Sequence, residues 1–182
     1  ARLGTAGIDA LLALATPGQT ADLERVATAF LALRSRDAVD ALPDLLAHPH
    51  LSDDQRAKLI RSYPNYLLDP PVSLDPLAAF LAKRDDDPPA VAEAGLAALG
   101  VSVAPLGPTA TAYVLAAVDA PDHSVRLAAL QAVEDARLAA ATDKVAGVLA
   151  AADRPADERT AAVKALRAAG GASAAGPLLA LI

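Results

Sequence analysis

Apolar residues recur along this chain with the spacing of an α-helix. In "SVRLAALQAV" (residues 124–133) and its continuation, they fall at i, i+3, i+4, i+7, i+8 and i+11, one face of a 3.6-residue period. Leu127 and Leu130 add a second apolar edge beside that face. A helix that is apolar on two sides must be covered on both. The pattern therefore predicts a helix packed between a partner and a neighbouring helix pair. The residues of the first face are Val125, Ala128, Ala129, Ala132, Val133 and Ala136.

The same pattern returns several times at nearly constant spacing. "ERTAAVKALR" (158–167) follows it, and "AVAEAGLAALG" (90–100), "DDQRAKLIRSY" (53–63) and the weaker "DLERVATAFLAL" (22–33) come before it. A second apolar segment follows each copy, and Pro or Gly separates the segments. Because one such pair cannot bury its apolar faces alone, the pattern predicts a stacked repeat array.

Two of these stretches resemble the first helices of HEAT or HEAT-like repeats. They are "PDHSVRLAALQAV" (121–133) and "ADERTAAVKALRAAG" (156–170), in which a Pro or Asp turn precedes a Val-Arg pair or its equivalent and an Ala/Leu face. The resemblance covers nearly the whole chain and is strongest from residue 88. It implies an all-α fold, a right-handed α-solenoid of about five helix pairs in a single array over residues 1–182. The expected repeats are 1–18 (partial), 19–50, 51–86, 87–119, 120–153 and 154–182.

A narrower resemblance concerns context. "NYLLDPPVSLDPLAAFLA" (65–82), followed by Ala-rich repeats, is similar to the HEAT segment of large exported proteins of planctomycete-type bacteria, in which such arrays adjoin propeller and c-type cytochrome modules. This implies an exported location, which no other feature of the sequence indicates. The chain contains no Met, so we expect it to be a segment of a longer polypeptide.

Composition removes several classes of function. The chain is rich in Ala and Leu, which favour helices, and it has no Cys, which excludes disulfides, thiol catalysis and Cys-ligated metals. The net charge of −6, with Lys and Arg scattered among more numerous acids, argues against nucleic acid as a partner. The uncharged run Ala94–Val118 is long enough to span a bilayer, but Pro105 and Pro108 interrupt it. We predict two short helices there and no membrane span.

Two polar clusters have both a chemical and a structural interpretation. "HPHLSDD" gathers His48, His50, Asp53 and Asp54, which are metal-ligand types; the favoured interpretation is a turn at Pro49 with Ser52 or Asp53 capping the next helix. "RDDDPPA" (84–90) lacks the alternation and the Gly of a calcium loop, and it is typical of an acidic helix start.

No catalytic, cofactor or metal site is predicted. Gly171 and Gly176 have the spacing of a phosphate loop, but Pro177 and Leu178 stand where Lys and Ser or Thr are needed. His123 and Ser124 are adjacent, so they point in different directions at a helix start and do not form a nucleophile–base pair.

Three arginines recur in register, each near one or two acids: Arg56 near Asp53 and Asp54, Arg126 near Asp122, and Arg159 near Asp157 and Glu158. In HEAT-like arrays such Asp and Arg residues often form a ladder between neighbouring repeats, and the resemblance implies this role for Arg56, Asp122, Arg126, Asp157 and Arg159. An anion-binding ridge is the functional alternative.

The segment "SYPNYLLDPPVSLDP" (62–76) is the most irregular part of the sequence. Pro64 should end the preceding helix, which leaves an extended linker before the next helix. If this linker lies on the binding face, its side chains form a partner-contact patch; the favoured alternative is that they plug the repeat junction. The residues concerned are Tyr63, Tyr66, Leu67 and Leu68.

These observations predict a non-enzymatic scaffold whose partners are proteins, either other domains of the same polypeptide or separate subunits. The alternative is a HEAT-like enzyme of the bilin-lyase or DNA-glycosylase type. The aromatic residues are few, and none of them is Trp, which disfavours the glycosylase.

Overall fold

The computed structural model describes residues 29, 36–49, 51–62, 72–84 and 88–170, and over these ranges the protein is all-α. Eight α-helices and one short 3₁₀ helix, Ala139–Ala141, occur there, and no strand. The α-helices are α1 Arg36–Leu46, α2 Asp53–Ser62, α3 Asp75–Leu81, α4 Pro89–Gly100, α5 Pro108–Ala117, α6 His123–Ala136, α7 Thr142–Ala150 and α8 Ala156–Ala169.

Prolines in the first turn begin three consecutive helices. Pro76, Pro89 and Pro108 lie where an N–H would have no helical partner, so the fixed φ of proline is compatible with the helix. The uncharged run from residue 94 to residue 118 accordingly forms α4 and α5 with a loop between them, as predicted. No helix in the described ranges is long and apolar enough to cross a membrane.

Alternate helices begin at nearly equal intervals along the chain. The helices α2, α4, α6 and α8, which we call first helices, begin at Asp53, Pro89, His123 and Ala156. Each first helix packs on the next one, α2 on α4, α4 on α6 and α6 on α8. The second helices α1, α3 and α5 pack in the same way, and α3–α4, α5–α6 and α7–α8 join the two sets.

Burial repeats with the same period. In α4, α6 and α8 the buried side chains lie at equivalent helical positions, as Ala98, Ala132 and Ala165 do. Half of the buried residues in these three helices are Ala or Gly, which allow the helix axes to approach closely. The looser match is Leu130 with Val163, because Leu130 is buried and Val163 is half-buried. The equivalent sets are Val91, Gly95, Leu96, Ala98 and Leu99; Val125, Ala129, Leu130, Ala132 and Val133; and Glu158, Ala162, Ala165 and Leu166.

Helices α4 and α6 approach each other closely at Gly100. A Cβ atom at Gly100 would lie 3.0 Å from the Cα atom of Ala132 and 3.3 Å from the Cβ atom of Asp135. The nearer of these neighbours is a backbone atom, which cannot rotate away. Glycine is therefore required here by space, with no demand on its backbone angles.

The start of α5 is capped by a side chain from the preceding repeat. Asp75, the first residue of α3, accepts a hydrogen bond from the backbone N–H of Ala110 at 2.8 Å through Oδ1. Gly107, the residue at the N-cap position, has no side chain to do this. A Cβ atom at Gly107 would collide with the carboxylate of Asp75, so the lack of a side chain at Gly107 leaves room for that carboxylate. We call the Asp75 carboxylate the borrowed cap of α5.

Candidate interaction groove and charged junction

An apolar groove of about 430 Å³ lies between α3, α4, α5 and the start of α6. Six of its fourteen lining residues are alanine, whose small side chains leave the space open. Tyr113 lines it from α5, and Arg84 and Asp122 supply polar groups at its edge. The remaining lining residues are Leu81, Ala82, Pro89, Ala92, Thr109, Ala112, Ala116, Ala117, Ala120, Pro121 and Val125.

A second groove of about 390 Å³ runs between the first helices α4 and α6. Its apolar part includes Leu127 and Val101, whose side chain is half exposed, and Glu93 and Asp135 lie beside it. The Ser124 hydroxyl donates a hydrogen bond to Glu93 Oε1, which joins the two helices at one end of this groove.

Glu158 is a fully buried carboxylate at the contact between α6 and α8. It occupies the helical position that Val125 occupies in α6 and Val91 in α4. Arg126 donates to its Oε1 through Nε at 2.8 Å and Nη2 at 2.7 Å, and Arg154 donates to Oε2 at 3.2 Å. Burial favours a higher pKa for Glu158, but the hydrogen bonds from Arg126 and His123 outweigh it and hold the pKa below its ordinary value. Glu158 is therefore ionised and paired.

His123, the first residue of α6, contacts two carboxylates of α8. Its Nδ1 lies 2.7 Å from Glu158 Oε1, and its Nε2 lies 3.0 Å from Asp157 Oδ2. Hydrogen bonds to Glu158 and then to Asp157 raise the pKa of the imidazole above its ordinary value. The Asp157 carboxylate also accepts from the backbone N–H of Glu158, which fixes its position at the start of α8.

Two ion pairs of Asp119 extend the network to α7. Asp119 accepts from Lys144 Nζ at 2.8 Å and from Arg154 Nη2 at 2.8 Å, and Arg154 also reaches Glu158. The hydrogen bond from Lys144 lowers the pKa of Asp119. Arg154 thus links the loop after α5 to α8 through two carboxylates.

Arg56 and Arg126 perform the same structural task in different repeats. Each is the fourth residue of its first helix and donates to carbonyl groups in the turn before that helix. Arg56 binds the carbonyls of Leu46 and His48 at 2.9 and 3.1 Å, and Arg126 binds those of Ala120 and Pro121 at 2.9 and 2.8 Å. Each arginine thereby ties the start of its own helix to the segment that leads into it, where carbonyl groups lie beyond the regular helical hydrogen bonds.

The five residues expected to form an inter-repeat ladder take different positions. Arg126 crosses to the next repeat, where it meets Glu158, and Asp157 crosses back to His123. Arg56 pairs with Asp53 of its own helix at 2.8 Å. Asp122 caps its own helix by accepting from the backbone N–H groups of Ser124 and Val125, and Arg159 is exposed.

The other sequence-predicted residues fall partly outside the described ranges. Tyr63, Tyr66, Leu67 and Leu68 lie outside them, as do His50, Asp85, Asp86, Asp87, Gly171 and Gly176. Asp53 belongs to α2, and the Ser52 hydroxyl accepts from the backbone N–H of Gln55 at 3.2 Å, which matches the predicted cap. Across the described part of the chain, no group of three or more His, Asp or Glu side chains is arranged to hold a metal ion.

Sequence reasoning misses the central roles of Glu158 and His123. It treats Glu158 as an acid near Arg159, and it considers His123 only as a partner of Ser124. One signal is present: Glu158 aligns with Val125 and Val91, so an acid stands at a position that is apolar in the two preceding copies. An acid in a buried slot requires cationic partners, and Arg126 and His123 lie on the neighbouring first helix.

Comparison of the chain with protein families and with curated proteins gives no match.

Proposed function

We propose that this chain is a right-handed α-solenoid of HEAT-like helix pairs that acts as a non-enzymatic scaffold, holding a protein partner within a larger assembly. The partner is another domain of the same polypeptide or a separate subunit. The exported, cytochrome-associated setting suggested by residues 65–82 belongs to the same proposal.

The observation that carries the proposal is the regular packing of alternate helices. First helices stack on first helices at nearly equal intervals of sequence, and α1, α3 and α5 stack likewise. Contacts limited to neighbouring units are typical of solenoids, which offer long surfaces for binding.

The groove between α3, α4, α5 and α6 is the surface we assign to the partner. Its walls are mainly alanine and other apolar groups, and its volume of about 430 Å³ can accept one or two large side chains. An apolar residue projecting from a partner would bury its surface there, as an anchor residue does in a protein interface.

Site-specific photo-crosslinking tests this assignment. A photoreactive residue replaces Ala116, which is exposed and lines the groove, and in a separate variant it replaces Ala150, which is exposed at the equivalent place on α7 in the next repeat. We expect a discrete adduct from position 116 and none from position 150 when both are expressed in the source cell. Equal labelling from the two positions would contradict the groove assignment.

Solution scattering tests the solenoid itself. A compact 182-residue domain has a radius of gyration of about 16 Å. We expect a larger radius and an elongated distance distribution. A compact value would overturn the solenoid, whereas DNA binding at low salt or a visible absorbance band from a bound chromophore would point to an enzyme.

A further inference from the structure

We propose that the contact between α6 and α8 is a pH-sensitive lock, in which protonated His123 ties the start of α6 to Asp157 and Glu158 and loosens its hold when it loses its proton. The inference concerns control of the array's stiffness and does not depend on the proposed scaffold function.

The geometry of the imidazole carries the proposal. Both ring nitrogens of His123 lie within hydrogen-bond distance of a carboxylate oxygen, at 2.7 and 3.0 Å. Carboxylates only accept, so each nitrogen must donate. A neutral imidazole has one donor and one acceptor, and it would set a lone pair against one carboxylate. Only the imidazolium satisfies both contacts.

The surroundings of His123 are otherwise unfavourable for a positive charge. It is the first residue of α6, where the helix dipole repels cations, and Arg126 lies one turn further along the same helix. On its own element the nearest acid is Asp122, whose carboxylate accepts from Ser124 and Val125. The charge of His123 is therefore balanced mainly from α8.

Protonation of Glu158 sets the acidic limit of the lock. Glu158 is shared by His123, Arg126 and Arg154, and Arg154 is also held by Asp119, itself paired with Lys144 of α7. From α4, Glu93 reaches this helix start only through Ser124. When Glu158 takes up a proton, all three of its cationic partners lose their shared acceptor.

The direction of the pH effect follows from these contacts. The pKa of His123 is raised in the folded protein, so its contribution is complete below the ordinary histidine pKa and is lost as the pH rises through the raised value. The pKa of Glu158 is lowered, so its contribution is present above the ordinary glutamate pKa and is lost as the pH falls through the lowered value. The lock is tightest in weakly acidic solution.

The lock also supports one wall of the apolar groove. Arg126, held by Glu158, donates to the carbonyls of Ala120 and Pro121, and both residues line the groove. Loosening α8 therefore removes a support from the segment that leads into α6.

Two measurements on the complete chain test the lock. The chain has three histidines, so NMR titration can follow each ring after assignment by substitution. We expect the titration midpoint of His123 to lie above the ordinary histidine value, with both ring nitrogens protonated at pH values below that midpoint. The substitution Asp157→Asn should lower the midpoint of His123. A His123 that titrates at or below the ordinary value would overturn the proposal.

Hydrogen exchange measures how firmly α8 is held. Protection factors of the α8 amides, corrected for intrinsic rates at each pH, should fall about twofold to fivefold between weakly acidic and alkaline solution, the range of a partly exposed ion pair. His123→Gln should abolish this fall, while the matched control His48→Gln should preserve it. A fall that persists in His123→Gln, or disappears in His48→Gln, would contradict the assignment to His123.

Discussion

The contacts α4–α6 and α6–α8 involve equivalent helix positions with different chemistry. At the first contact the third and fourth helical positions are filled by Val125 of α6 and Ala92 of α4, both of which line the apolar groove. At the second contact the equivalent residues are Glu158 of α8 and Arg126 of α6, whose charged groups meet at 2.7 Å. Small apolar residues leave a groove, and the larger charged pair bridges the gap.

A second difference lies near the other end of these helices. Gly100 lets α4 approach the backbone of α6 at Ala132, whereas the residue at the equivalent place in α6 is the half-buried Glu134. The α4–α6 contact thus depends on a missing side chain, and the α6–α8 contact depends on paired charges. Equivalent helix positions in this chain can therefore be held together by different side-chain chemistry.

Removing Glu158 should have the largest effect. Glu158→Ala leaves Arg126, His123 and Arg154 without their common acceptor, so we expect a loss of about 3 kcal/mol in the free energy of unfolding, measured by urea denaturation. Converting this contact to the chemistry of its neighbour, with Arg126→Ala and Glu158→Val together, should cost less than Glu158→Ala alone. A double variant at least as unstable as the single one would show that the two contacts are not interchangeable.

Two glycine-to-alanine substitutions test the close approach at α4–α6. Gly100→Ala should destabilise by about 1 to 3 kcal/mol, because the new Cβ atom meets the backbone of Ala132. Gly147→Ala, inside α7 with no atom within 4 Å of the added Cβ, should stabilise by about 0.5 to 1 kcal/mol. Thermal or urea unfolding should therefore give changes of opposite sign, and two changes of the same sign would contradict the packing described for Gly100.

The borrowed cap of α5 should contribute less. Asp75→Ala removes the acceptor of the Ala110 N–H, so we expect a loss of about 1 kcal/mol in unfolding free energy. Asp143→Ala is the control, because Asp143 is an exposed acid in the first turn of α7, and it should cost only a few tenths of a kcal/mol. Equal losses would mean that Asp75 acts only through its charge.

The ion pair between Lys144 and Asp119 should contribute least to the free energy of unfolding. Lys144→Ala removes one of the two cations on Asp119, a half-exposed carboxylate that Arg154 still holds. We expect a change below about 0.5 kcal/mol, reduced further in high salt. A loss as large as that of Glu158→Ala would mean that the network acts as one unit.

The sequence predicts the helical repeat because periodicity and proline position are local properties. The regular recurrence of the pattern around Val125 reappears in the helix starts and in the buried positions of α4, α6 and α8. The breakdown of the uncharged run into α4 and α5 is likewise readable from Pro105 and Pro108.

The partners that meet in the charged junction and in the borrowed cap could not be predicted, because each contact joins groups that are far apart in the sequence. The sequence pattern places Arg126 beside Asp122, its near neighbour, yet the carboxylate partner of Arg126 is Glu158 and Asp122 caps the helix. Only the stacking of α3 on α5 brings Asp75 and Ala110 together. The sequence pattern defines which helices stack; rotamers and competing partners decide which polar groups meet.

The cap supplied by Asp75 has a consequence for the modularity of the chain. The helix that it completes belongs to the following repeat, and Gly107 keeps the space that the borrowed carboxylate occupies. If the helix pair α4–α5 were duplicated or transplanted without α3, α5 would lose the carboxylate that caps its start. Recombination that moves this pair therefore preserves the cap only where the preceding helix supplies an acid at the position of Asp75.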